Sequence, residues 1–140
     1  MSLLSLLHVS RSTVNASCAE AAVADIVEKA HRTNPQMGLT GALIFTGSNF
    51  AQILEGSVEA VDWIMTSIIT DPRHTGIIVA DRSPIIERRF AKWSMAYSGR
   101  VQFVDRHVRE LLDAPLAKSR SPSAKRLANL IHQFAVQNAG

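Results

Sequence analysis

The chain has 140 residues, a length that holds one domain. With 46% hydrophobic and 19% charged residues it can fill an ordinary core, which excludes a disordered chain. The net charge of +3 is scattered rather than striped beside aromatic residues, which argues against a nucleic-acid partner, and the single cysteine, Cys18, excludes an intrachain disulfide or a multi-cysteine metal site.

Residues 3–9 predict a strand with two apolar faces. Leu4, Leu6 and His8 share one face; Leu3, Leu7 and Val9 share the other. Ser17 to Glu20 has capping-box spacing and opens a predicted helix over 18–32, whose inner stripe is Val23, Ile26, Val27 and Ala30. Pro35 and Gly38 are expected to break the chain after it. Leu39–Phe45 and Phe50–Glu55 read as a hairpin turning at Thr46-Gly47-Ser48-Asn49. Ser57 caps a predicted helix over 58–70, lined by Val61, Ile64, Met65 and Ile68 and stopped by Asp71-Pro72. Residues 76–80 read as a short strand and 92–97 as a last one. A short helix over 104–113 follows, then a polar link. Ser121-Pro122 is an N-cap and N1 pair for a final helix with Leu127, Leu130, Ile131 and Phe134 on one face.

This order, β-α-β-β-α-β plus a strand, predicts an α+β ferredoxin-like sheet with two helices on one face. The C-terminal helices are expected to cover the other face, in the same subunit or in a partner. The expected division is a core over 1–100 and a helical extension over 101–140. No apolar run approaches a membrane span, and the opening "MSLLSLL" is too short and lacks the basic flank of a signal peptide. A reducing cytoplasm is the expected compartment.

The chain contains no GxSxG, P-loop, HExxH or GxGxxG motif, and no metal site or enzymatic activity is expected. An acylphosphatase-type enzyme would share the topology. However, "SRSTVNAS" has no glycine to let the backbone wrap an anion. Polar groups in apolar settings are the distinctive feature. Gln52 shares a face with Phe50 and Leu54, and must be either a backbone-bonded core amide or an amide aimed at a ligand. Asn34, just past the predicted helix, taken alone reads better as an αL C-cap. Asp71, Arg73 and His74 in "DPRH" read as turn residues, and Arg73 equally as the holder of an anion or a carbonyl oxygen. Trp93 and Met95, taken alone, are core.

The segments "TNPQMGLTGALIF", "FAQILEG", "DPRHTGI" and "RRFAKWSMAY" together resemble the BLUF family, blue-light sensors using FAD. The resemblance runs from about Leu3 to Ser98 with ordered spacing in every block. It implies a flavin ring between the two helices, with FAD, FMN or riboflavin as cofactor. It also implies that Gln52 bonds the flavin N5 and O4 edge and rearranges on illumination. Asn34 would bond the O4 and N3 side, with Thr33 standing where many members carry another asparagine. Arg73 would lie near the C2 carbonyl or the ribityl-phosphate side, and His74 close by. Trp93 and Met95 match the pair that exchanges places near the flavin. Ile26 and Ile68 are expected to pack on the ring, Ser10 to bond near His8, and Arg32 either to be solvated or to touch the FAD phosphates.

The departure from the family is His8. Members carry a tyrosine there, commonly as Y-x-S, where this chain reads His8-Val9-Ser10. That tyrosine gives an electron and a proton through the glutamine. Three readings of His8 follow: a disabled photocycle, Trp93 as substitute donor, or a pH-dependent chemistry, since imidazole titrates near 6.5. Tyr97 lies on the wrong strand to inherit the role. The resemblance also implies an output through protein contacts, because no enzyme domain follows residue 98. A homo-oligomer, as a dimer or larger ring, and a separate signalling partner are expected. The alternative is a light-silent flavin-binding interaction module.

Overall fold

The computed structural model describes residues 2–97, 99–113 and 120–138. Four strands, β1 (Leu3–Ser12), β2 (Thr40–Phe45), β3 (Asn49–Ser57) and β4 (His74–Ile85), form one antiparallel sheet in the order β2-β3-β1-β4. Helices α1 (Ala19–Met37) and α2 (Val58–Thr70) lie in the two crossovers, and α3 (Asp105–Asp113) and α4 (Arg120–Asn138) follow the sheet. This is the expected ferredoxin-like α+β arrangement.

The alternation of β1 sorts the core into two layers. Leu4 and Leu6 pack with Leu43, Phe50 and Leu54 beneath Val23 of α1 and Val61 and Met65 of α2. Leu7 and Val9 pack on the opposite face with Ile44, Ala51 and Ile53 against Val108 and Leu111 of α3 and Leu127 and Ile131 of α4. Each such buried leucine or isoleucine stabilises the fold by about 2 kcal/mol. The C-terminal helices therefore cover the second face within the same chain. Asp105, at the start of α3, accepts from Asn49 Nδ2 at 2.8 Å and from the Thr46 hydroxyl, which ties the β2–β3 turn to that layer.

Several local expectations are corrected. Pro35 does not break α1, which runs through it to Met37. Gly38 ends the helix instead, at φ 68°, where its N–H reaches the Pro35 carbonyl and the Leu39 N–H reaches that of Asn34. Asn34 is thus a helical residue, not a C-cap. Ser17 makes no cap: Ala16–Cys18 is a turn of 3-10 helix and α1 opens without a side-chain cap. Ser57 does cap α2, accepting from the Ala60 N–H at 3.1 Å. The strand at 76–80 is longer than expected, and Ser121-Pro122 falls just inside α4 rather than ahead of it. The polar link before it lies partly outside the described residues.

Residues 92–97 do not form a regular strand. They run beside β2 with one isolated parallel bridge, Ala42 with Ala96, and a second, Phe45 with Arg100, follows beyond them. Three backbone bonds hold them there: Gly41 N–H to Trp93 O, Ala96 N–H to Gly41 O, and Leu43 N–H to Ala96 O. Among the described residues no helix is long and apolar enough to cross a membrane.

Candidate functional site

A cavity of about 280 Å³ lies between α1 and α2, floored by the sheet. Ile26 of α1 and Ile64 and Ile68 of α2 make its walls, and Leu43, Phe50 and Leu54 its apolar floor. Its polar residues fall into a buried set and an exposed set. His8, Asn34 and Gln52 are buried, whereas the side chain of Lys29 is 59% exposed and that of Arg73 25%.

The buried set forms a chain of contacts. His8 and Gln52 sit opposite one another on β1 and β3, and His8 Nε2 lies 2.7 Å from Gln52 Oε1. The ring nitrogen donates, because an amide oxygen only accepts. Gln52 Nε2 in turn donates to Met95 Sδ at 3.7 Å. His8 Nδ1 is buried with no partner among the described residues. Burial pushes the His8 imidazole down to about 4, against a smaller upward pull from Gln52 and a further downward push from His74. At neutral pH it is therefore uncharged, with its proton on Nε2.

Helix α1 grips the segment that carries Met95. Asn34 Nδ2 donates to the Ser94 carbonyl at 2.7 Å, and His31 Nε2 to that of Met95 at 2.8 Å. Asn34 also lines the cavity. His74 is fixed at both nitrogens: Nε2–H donates to Ile68 O at 2.6 Å, so Nδ1 accepts from the Ser10 hydroxyl at 2.7 Å.

At the exposed rim, Arg73 is held by two carboxylates, Asp71 at 2.6 Å and Asp25 at 2.8 Å, and Asp25 also meets Lys29 at 3.1 Å. The hydrogen bond from Arg73 holds the Asp71 carboxyl below the usual carboxylate range. Lys29, then Arg73, does the same for Asp25.

Of the residues singled out from the sequence, His8, Ile26, Thr33, Asn34, Gln52, Ile68, Arg73 and His74 all line this cavity. Ser10 does not; it is buried behind it and acts on His74. Arg32 is exposed and does not line the cavity, because it projects from another face of α1. Met95 touches Gln52, but Trp93 lies away from the cavity against Phe90, ring centroids 6.3 Å apart. Both line a second cavity of about 250 Å³ with Ile131, Phe134 and Ala135 of α4. Sequence reasoning passed over Lys29 and Trp63 at the first cavity and took Asp71 for a turn residue. Lys29 stands one turn after Ile26, and that spacing could have found it.

Apolar walls and buried amides suit a flat heteroaromatic ring with carbonyl and imide groups on one edge, and the rim above them carries the paired charges of Lys29, Arg73, Asp25 and Asp71. The chain matches the model of the BLUF family, sensors of blue-light using FAD, over residues 3–96. It is 30% identical over 114 residues to the photoactivated adenylate cyclase subunit alpha of Euglena gracilis, which covers 81% of this chain and 10% of that protein. It is 43% identical over 75 residues to the blue light- and temperature-regulated antirepressor BluF of Escherichia coli K12, covering 52% of this chain and 18% of that one. The chain thus spans a small part of the length of these relatives. Among solved structures, the dark state of BlrB, a BLUF protein, superposes with a TM-score of 0.70 at 28% identity over 97% of both chains. The photo-activated state of BlsA shares the fold, with a TM-score of 0.76 at 24% identity over 93% of this chain and 94% of that one.

Proposed function

The chain belongs to the BLUF family, sensors of blue-light using FAD, and from that premise we propose that it is a flavin-binding light-sensor module whose photochemical step is altered by His8. The observation that carries this reading is the buried 2.7 Å contact between His8 Nε2 and Gln52 Oε1. When bound, the flavin supplies blue-light absorption and, once excited, a one-electron oxidant. Gln52 and Asn34 would hold its polar edge, Ile26 and Ile68 its faces, and Thr33, Arg73 and His74 its surroundings.

His8 keeps the hydrogen bond that a phenol would make and loses the phenol's ability to give up an electron and a proton together. Imidazole also constrains the amide. With Gln52 Oε1 toward the ring, the proton belongs on Nε2. If the amide turned over, Nε2 would have to accept, and the proton would have to move to Nδ1. Among the described residues Nδ1 has no partner to take or deliver that proton. His8 therefore opposes the turn of Gln52 on which the family's switch depends.

The output runs from Gln52 to Met95, along the segment beside β2, and into the layer formed by α4. Such a route shifts an equilibrium only through contacts that differ between two states. We assign it a cytoplasmic signalling role through protein contacts, in a homo-oligomer and with a separate partner. The core would be 1–100 and the output extension 101–140.

The test is an absorption spectrum of the purified protein, dark and then under blue light, beside His8→Tyr. The reading expects a flavin spectrum without a red shift in the unmodified chain and a reversible red shift in the variant. A reversible shift in the unmodified chain would overturn it. Identical partner binding in dark and light, in both proteins, would favour a light-silent interaction module.

A further inference from the structure

We propose that Lys29, and not Arg73, is the residue that distinguishes a phosphorylated flavin from riboflavin at the mouth of the cavity. The assignment rests on the flavin-binding reading above and adds to it a binding residue and a specificity.

Arg73 is almost used up. A guanidinium has five N–H groups. Nε donates to the two oxygens of Asp71 at 2.9 and 3.1 Å, and Nη2 to Asp71 Oδ2 at 2.6 Å. Nη1 donates to Asp25 Oδ2 at 2.8 Å and to the Ala22 carbonyl at 3.4 Å. One N–H, on Nη2, is left. A bidentate grip on phosphate needs two along one edge, and Arg73 could form it only by releasing Asp71 or Asp25. Its role is a tie between α1 and the turn after α2, which sets the width of the cavity mouth.

Lys29 is in the opposite condition. Of its three N–H donors one meets Asp25 Oδ2, at 3.1 Å, and two remain. Its side chain lines the cavity and reaches solvent. The other charged or titratable groups at the mouth are spoken for: Asp71 is chelated by Arg73, and both nitrogens of His74 are bonded inside the protein. Among the described residues lining the cavity, Lys29 is the cation with donors to spare. A compact ammonium suits a terminal phosphate as a point charge. Asp25, which shares one oxygen between Lys29 and Arg73, weakens that attraction. FMN and riboflavin carry the same ring and ribityl chain, so the difference between them reads the phosphate alone.

The apoprotein is titrated with riboflavin and with FMN at low salt, following quenching of flavin fluorescence. The unmodified chain is expected to bind FMN about three- to fivefold more tightly, the range of an exposed charge pair. Lys29→Gln should bring the FMN Kd to the riboflavin value and leave riboflavin binding unchanged. Asp25→Asn should widen the difference, and added salt should narrow it. The assignment is overturned if Lys29→Gln keeps the preference for FMN, if the unmodified chain has none, or if the substitution weakens both flavins equally. In that last case Lys29 would shape the cavity rather than read the phosphate. Failure of the unmodified chain to bind either flavin would instead overturn the flavin reading, and the assignment with it.

Discussion

His8 and Gln52 face each other across the β1–β3 ladder, 44 residues apart in sequence and 2.7 Å apart through Nε2 and Oε1. Leu6 and Leu54, the next pair along the same face, are buried beside them. A neutral ring and a neutral amide thus share one buried hydrogen bond inside an apolar layer, and the ring N–H and the amide oxygen each depend on the other.

Acid should expose the cost of burying that ring. The folded His8 takes up a proton only near pH 4, whereas the unfolded chain does so near 6.5. Between these values the unfolded state binds more protons, so stability falls as pH drops from about 6.5 towards 4 and levels off below. The full span is worth about 3 kcal/mol. Urea unfolding at a series of pH values should show this slope in the unmodified chain and lack it in His8→Tyr, which keeps a donor toward Gln52 and does not titrate in this range. Parallel curves would place the titrating group elsewhere.

Removing the acceptor should cost more than its own hydrogen bond. In Gln52→Leu the His8 Nε2–H is left buried without a partner, an expected loss of about 1–3 kcal/mol. His8→Phe combined with Gln52→Leu replaces both polar groups and should recover part of it. A double-mutant cycle in urea that came out additive would show the pair to be uncoupled.

The grip of α1 on the Met95 segment should be visible in amide exchange. Asn34→Ala and His31→Ala each free a carbonyl, at Ser94 and Met95. The amides of Ala96 and Leu43, which close the bridge to β2, should then exchange about fivefold faster, as expected for a loss of about 1 kcal/mol. Amides in the middle of β1 should not change. Unchanged exchange at Ala96 would mean the backbone bridge holds by itself.

Glu55 anchors the loop before that segment. It is buried, and its carboxylate accepts from the Arg89 N–H at 2.8 Å, the Phe90 N–H at 3.0 Å and the Thr40 hydroxyl at 3.0 Å. Glu55→Gln turns one acceptor into a donor facing a donor, with an expected loss of about 2–3 kcal/mol. Phe90 packs on Trp93 and on His132 of α4, so the near-ultraviolet signal of the tryptophans should weaken together with the unfolding midpoint. A full near-ultraviolet signal alongside a lowered midpoint would confine the role of Glu55 to stability.

Signals carried by neighbouring residues were legible in the sequence. The alternation of Leu4, Leu6 and His8 against Leu7 and Val9 assigned the faces of β1, and both faces are covered as expected. Ser57 caps α2 because an N-cap needs only its own next turn. Competing local signals were misread. Gly38, free to take a positive φ, outweighs Pro35 as the end of α1, and Ser17 lost its cap to a 3-10 turn. Residues 92–97 have the composition of a strand, yet they meet β2 through an isolated bridge instead of a ladder.

By itself, the sequence determined the order of elements, the apolar faces and the residue types around the cavity, since all of these follow from spacing along one chain. Only the tertiary structure decided who meets whom. Asp25 and Arg73, 48 residues apart, share an ion pair that occupies the arginine and leaves Lys29 the freer cation. Arg32 and Lys29 stand on one helix, but the turn of that helix puts only Lys29 at the cavity. Trp93 and Met95 are two residues apart, and Met95 alone reaches Gln52. Hydrogen bonds and ion pairs act over about 3 Å, so their partners are set by how separate elements pack, a relation that no local pattern of residues encodes.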